Sequence, residues 1–177
     1  MKRIILIDDE PNLLQALKRT LQRWLRMDKV CIKLFDDPQA ALKRACEVKV
    51  DLAISDYRMP QMNCVVLLKA FGVLQPQAMR LILSGSNDFD VVMAAINEAE
   101  IFRFLTKPWD DEELVETVKA ALLRGAERVE ERRLADQARL QQGRISAEEA
   151  ERRILEAQIP GITQVKRWPD GSVMLED

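Results

Sequence analysis

Apolar residues in the first 123 positions come in two alternating textures. Short continuous runs occupy 3–7 (Arg-Ile-Ile-Leu-Ile), 30–35, 51–55, 80–83 and 101–105, lengths that suit buried strands better than helices. Between them the apolar positions spread to helical spacing. The clearest set is Leu13, Leu14, Leu17, Leu21, Trp24 and Leu25, opened by Pro11, whose constrained φ fits a first helical turn. Similar patterns predict helices over about 38–47, over 63–74 with Asn63 as cap, over 87–98, and from about 110 onward. Continuous apolar strands alternating with helices predict a parallel sheet covered on both faces. The expected fold is therefore α/β, a doubly wound five-stranded parallel sheet over residues 1–123, in which ligands gather at the carboxyl ends of the strands.

Beyond residue 123 the texture changes. Residues 124–158 are charged and helix-prone, interrupted by Gly143. Ser146-Ala147-Glu148-Glu149 reads as a capping box opening a second helix, and Pro160-Gly161 ends it. The remainder of 159–177, with Pro169-Asp170-Gly171 as a turn between 162–168 and 172–175, reads as two short strands of a terminal hairpin. One apolar seam, Val115, Val118, Leu122, Gly125 and Val129, starts as a heptad and fails at Arg132 and Asp136. It suits either a solvated extension of the last helix or a helix that meets a second copy or a partner.

Composition narrows the chemistry. The 177 residues contain no histidine, which excludes imidazole acid–base catalysis, nucleophile–histidine dyads and metal sites that need imidazole. Lys and Arg number 27 against 29 Asp and Glu, and the tail is equally balanced, so a DNA-gripping arm is not expected. Three cysteines, Cys31, Cys46 and Cys64, are too few and too scattered for a disulfide framework or a zinc knuckle. The apolar run at the start is too short for a signal peptide. No window approaches the roughly 18 apolar residues of a membrane span, so a cytoplasmic location without membrane partners is the expectation.

The polar residues at the strand ends carry the remaining chemistry. Asp8 and Asp9 follow the first predicted strand, Asp56 the third, Ser84 the fourth and Lys107 the fifth. Each has an ordinary reading alone: an aspartate pair caps a helix, a Ser-Gly pair turns, a lysine beside proline is solvated. Their joint placement at four strand ends on one edge is harder to explain as structure. Three crowded carboxylates repel and raise a pKa unless a cation joins them. Oxygen ligands alone favour Mg²⁺ over zinc. A carboxylate nucleophile, a divalent ion, a lysine and a hydroxyl are the parts that phosphoryl transfer needs.

With these residues in place, the chain resembles the receiver domain of bacterial two-component response regulators. The matching pieces are Ile7-Asp8-Asp9-Glu10, Ser55-Asp56-Tyr57-Arg58-Met59-Pro60, Leu83-Ser84-Gly85 and Phe104-Leu105-Thr106-Lys107-Pro108-Trp109. The resemblance implies a flavodoxin-like receiver fold with Asp56 as phosphoacceptor. It implies Mg²⁺ held by Asp8, Asp9, Asp56 and the backbone carbonyl of Arg58. Ser84 and Lys107 would contact the phosphoryl oxygens, with Ser84 and Phe104 as the switch pair and a cis Lys107–Pro108 bond. A sensor histidine kinase would be the donor, and the chain would be a phosphoacceptor rather than an enzyme acting on other substrates. The stretches Ala95-Ile96-Asn97-Glu98 and Trp109-Asp110-Asp111-Glu112 further resemble receivers fused to cyclic-di-GMP phosphodiesterases or other signalling modules, and no such metal-dependent phosphodiesterase can reside in this histidine-free chain.

Two positions depart from the family pattern. After Met59-Pro60 the chain has Gln61-Met62-Asn63-Cys64 where such receivers commonly carry a Gly-x-Asp-Gly-like turn, and position 104 is Phe where Tyr is frequent. The first loses two freedoms for positive φ and puts Cys64 near the acidic cluster, as a small inert residue or a redox group. The second leaves a ring that can change rotamer without a hydroxyl. The expected output is through protein contacts, to an unidentified partner or a second copy, and not through DNA. Two other readings of the same residues are a receiver fold kept purely for interaction and an aspartate-nucleophile phosphohydrolase. The latter typically uses an Asp-x-Asp pattern after its first strand, which Asp8-Asp9-Glu10 is not.

Overall fold

The structure, a computed structural model, describes residues 1–25, 30–85, 100–160 and 162. Within them β1 (Lys2–Ile7), β2 (Val30–Phe35), β3 (Leu52–Asp56), β4 (Met79–Gly85) and β5 (Arg103–Lys107) form one sheet in the order β2-β1-β3-β4-β5. Every neighbouring pair runs parallel. Helices α1 (Pro11–Leu25), α2 (Pro38–Glu47), α3 (Cys64–Leu74), α4 (Asp111–Gln141) and α5 (Ala147–Gln158) complete the described elements. The helix expected over 87–98 and the hairpin expected at the carboxyl end lie outside the described residues.

Strand alternation divides the core between the two faces. On β1, Ile4 and Leu6 point to one side, where they meet Leu14, Leu17 and Leu21 of α1 and Leu114, Val118 and Leu122 of α4. Ile5 and Ile7 point to the other, against Ala41 and Ala45 of α2 and Leu67, Leu68 and Phe71 of α3. Full burial of each large side chain contributes about 1.5–3 kcal/mol of transfer free energy. The alanines on α2 let that helix approach closely. Gln75, buried behind α3, donates from Nε2 to the carbonyls of Ala45 (2.6 Å) and Val48 (3.0 Å) and accepts from the Val50 N–H (3.3 Å), which satisfies the end of α2.

One boundary differs from expectation in a way that matters. The last strand is Arg103–Lys107, two residues later than the apolar run suggested. Pairing with β4 decides it: Ser84 lies beside Thr106 and Gly85 beside Lys107, so polar residues at the edge extend the ladder. As expected of a helix that begins near residue 110 and extends into the charged segment, α4 continues unbroken through residues 123 and 124 as a helix of 31 residues, about 46 Å long at 1.5 Å per residue. It ends in a Schellman motif. Gly143 takes φ +65°, its N–H donates to the Leu140 carbonyl at 3.0 Å and the Arg144 N–H to the Arg139 carbonyl at 2.9 Å. The turn sends the chain back, and the Ser146 side chain accepts from the Glu149 N–H at 3.1 Å to start α5.

The interrupted heptad now has a structural meaning. Val115, Val118, Leu122 and Gly125 are buried against the sheet. Beyond them the same face turns to α5, where Asp136 pairs with Arg153 at 2.8 Å across the two helices and Ala150 is buried. None of the described helices is long and apolar enough to cross a membrane.

Candidate functional site

The site is assembled by the carboxyl edge of the sheet. Asp8 lies one residue past β1 and is 1 % exposed. Its own N–H is committed to the Phe35 carbonyl at 3.1 Å, which holds it at the β1–β2 seam. Asp56 is the last residue of β3, and Lys107 the last of β5. Because Ile7 pairs with Ser55 and Asp56 with Leu83, the polar residues arrive at one level of the sheet, with Ser84 one step further along β4.

Lys107 joins the carboxylates. Its Nζ lies 2.5 Å from Asp56 Oδ1 and donates to Asp8 Oδ2 at 2.9 Å. The other oxygens are held by backbone: Arg58 N–H donates to Asp56 Oδ2 and Glu10 N–H to Asp8 Oδ1, each at 2.9 Å. Asp9 stands further into solvent. One carboxylate oxygen from each of Asp8, Asp9 and Asp56 lies within 4.8 Å of the others, a spacing at which a hard cation can take an oxygen from each.

Burial and charge act against each other here. Burial pushes the Asp56 carboxyl above its ordinary value, and the nearby Asp8 charge adds to the rise. The hydrogen bond and charge of Lys107 and the Arg58 N–H pull back without cancelling it. For Lys107, burial disfavours the ammonium, but hydrogen bonds and charges from Asp56 and Asp8 outweigh it and its pKa is raised. One lysine thus faces two buried carboxylates, with Asp9 nearby. The surplus of negative charge suits a divalent cation.

Ser84 is 2 % exposed, and its Oγ donates to the Gly85 carbonyl at 3.2 Å. Phe104 is half-buried and packs against the α2–α3 core. The Lys107–Pro108 bond is cis. The loop that departs from the family pattern works differently from a glycine turn. Asn63 accepts from the Val65 N–H at 2.8 Å and caps α3, while Cys64 opens that helix fully buried. Burial first, and the Asp56 charge second, push the Cys64 thiol up to about 12, so it is an inert core residue rather than a redox group.

Sequence reasoning brought together Asp8, Asp9, Asp56, Ser84 and Lys107, and the structure places all five at one edge. It did not single out Tyr57, whose N–H donates to the Leu83 carbonyl at 2.8 Å and ties the loop after Asp56 to β4. Nor did it anticipate that Lys107 bridges Asp8 and Asp56. The available signal was adjacency for Tyr57. For Lys107 there was none, since the bridge depends on how β5 is placed.

Residues 4–119 match the family pattern described as the response regulator receiver domain. The chain is 34 % identical over 119 residues to the hydrogenase transcriptional regulatory protein HoxA of Bradyrhizobium diazoefficiens, covering 67 % of this chain and 24 % of that protein. It is 27 % identical over 116 residues to the transcriptional regulatory protein FixJ of Rhizobium meliloti, covering 66 % of this chain and 54 % of that one. Both relatives extend well beyond the shared part. Among solved structures, the signal receiver domain of an HD domain-containing protein from Pseudomonas fluorescens Pf-5 superposes with a TM-score of 0.67 at 33 % identity, covering 73 % of this chain and 92 % of that one.

Proposed function

We propose, from the premise that this chain belongs to the response regulator receiver domain family, that it is a phosphorelay switch whose phosphoacceptor is Asp56. The observation that carries the reading is the convergence of Asp8, Asp9 and Asp56 around Lys107, with Asp56 Oδ1 at 2.5 Å from the ammonium. Receiver domains bind Mg²⁺ at an acidic site, and the donor set here fits that ion: three carboxylates, no imidazole and no thiolate within reach. Asp8, Asp9, Asp56 and the Arg58 carbonyl would hold it, and its charge would offset the negative charge of an incoming phosphoryl group.

The chain's own residues then have distinct tasks. A carboxylate oxygen of Asp56 attacks phosphorus on the phosphohistidine of a sensor kinase. The P–N bond breaks, its electron pair stays on the imidazole, and an acyl phosphate forms on Asp56. Lys107 is released from its bridge to follow the new charge, since a phosphoryl oxygen takes over the position of the carboxylate it paired with. Ser84, one step along the neighbouring strand, supplies a hydroxyl donor on the other side. Movement of Ser84 frees space beside Phe104, and the ring reports the change to the β5–α4 surface. Hydrolysis of the acyl phosphate restores the carboxylate. Output passes through protein contacts, with the extension past residue 123 as its carrier, in the cytoplasm.

Incubation with radiolabelled acetyl phosphate tests this directly. Label should enter the chain only when Mg²⁺ is present, and Asp56→Asn, which keeps the shape and removes the nucleophile, should abolish it while the circular dichroism stays unchanged. Undiminished labelling of the folded variant would overturn the assignment.

A further inference from the structure

The fold-back of α5 creates a surface that the phosphoacceptor site does not use. Two adjoining grooves, of about 420 and 560 Å³, lie between the tail and the base of the receiver, at the strand edge opposite Asp56. One wall is the receiver body, at Lys49 and Gln77, and the other is the α4–α5 hairpin. The first groove is floored by Val129, Leu140, Ala150 and Ile154. Ile154 is 53 % exposed, a large apolar side chain left facing solvent inside a concave surface.

Charge is the second observation. Most cations around the grooves are already paired: Arg133 with Glu130, Arg152 with Glu149, Arg153 with Asp136 and Glu149. Lys49 and Arg132 are different. Both line both grooves, and neither side chain has an ion-pair partner among the described residues. The shared ridge of the two grooves thus presents two uncommitted cations, one from the receiver and one from the tail, above an apolar floor.

We propose that this double groove is a docking site for an acidic, apolar segment of a partner protein, with carboxylates meeting Lys49 and Arg132 and aliphatic side chains covering Val129, Leu140 and Ile154. A neutral apolar segment would leave the two cations facing a desolvated interface, and a basic one would be repelled. An amphipathic helix carrying leucine and glutamate matches both features. The groove also has a mechanical link to the switch. Its α4 wall belongs to the same unbroken helix that begins at Asp111, four residues past Lys107. The regulatory meaning of the site rests on the function proposed above, but its occupancy does not, so binding is tested on the unphosphorylated chain.

The probe is a fluorescein-labelled helical peptide of Leu-Glu-Glu-Leu repeats, with a control in which lysine replaces each glutamate, and the readout is fluorescence polarisation on the full chain. The acidic peptide should bind saturably, more weakly as salt is raised, and the lysine peptide should not bind. Lys49→Glu and Arg132→Glu should each weaken binding by about tenfold or more, equivalent to ~1.4 kcal/mol. Ile154→Asp should weaken it comparably, while labelling of Asp56 by acetyl phosphate stays intact in all three variants. Absence of binding, equal binding of both peptides, or indifference to these substitutions would overturn the proposal. So would self-association of the free chain that Arg132→Glu abolishes in sedimentation, which would make a second copy the occupant. Tighter binding by a chain ending at Ile162 would assign the groove to the chain's own residues 163–177 and overturn it as well.

Discussion

Asp56 is held above the 3.8 of an ordinary aspartate, so the folded chain binds its proton more tightly than the unfolded chain does. Its ionised form therefore costs stability, in full above the folded pKa, and the cost is relieved as pH falls toward 3.8. Asp56→Asn should raise the melting temperature at neutral pH, without divalent ions, by roughly 2–4 °C, the shift that ~1 kcal/mol produces in a chain of this length. That gain should shrink in melts taken at progressively lower pH, and a gain independent of pH would contradict the burial argument. Mg²⁺ should stabilise the native sequence and leave the asparagine variant nearly unmoved, because a ligand stabilises only the state that binds it. The individual residues were legible because strand ends are marked by where apolar runs stop. Crowding alone predicted one raised carboxyl; that it is Asp56, and chiefly through burial, was not legible, since burial and Lys107 act on it from elements far apart in the chain.

At the scale of elements, local signals did most of the work. Asn63 and Ser146 cap their helices as their spacing predicts, because a side-chain oxygen that meets an N–H two or three residues on needs no tertiary partner. Gly143 is a helix stop for an equally local reason, its φ of +65°. A Cβ there would meet no atom within 4 Å, so the cost of Gly143→Ala is purely conformational, about 1 kcal/mol. That variant should speed amide hydrogen exchange in α5 while leaving exchange in β1 and β3 unchanged. Equal loosening of the sheet would mean that α5 is part of the core. Strand β5 was the element least legible in advance. Its apolar run, Ile101 to Leu105, includes two residues outside the strand, and Thr106 and Lys107 belong inside it because Ser84 and Gly85 supply their ladder partners.

For the whole molecule, the two-sided core ends before the tail begins, with Leu122 the last of its large side chains on α4. Distal α4 is tied to α5 by the Arg153–Asp136 pair at 2.8 Å, while pairs such as Arg139–Asp136 and Arg152–Glu149 lie within a single helix and contribute about 0–1 kcal/mol each. A chain ending at Gln141 should therefore keep Asp56 labelling and lose no more than about 1 kcal/mol of stability in urea unfolding. A larger loss, or failure to label, would show that α5 supports the receiver body. The same chain would lack one side of the double groove and should not bind the acidic peptide, which separates the labelled site from the docking surface at opposite edges of the sheet.

Much of this protein is written in local pattern. Apolar runs of strand length, helical spacing between them, caps, and polar residues where each run stops predicted the parallel sheet and its reactive edge, because backbone hydrogen bonding and burial of one face impose those periods on any chain that folds this way. Tertiary structure decided the rest. It set the register that makes Lys107 a bridge between Asp8 and Asp56, the return of α5 that pairs Arg153 with Asp136, and the grooves that Lys49 and Arg132 both line. Each of these depends on contacts between residues distant in the chain, whose partners are chosen by packing and charge in three dimensions and leave no periodic trace in one.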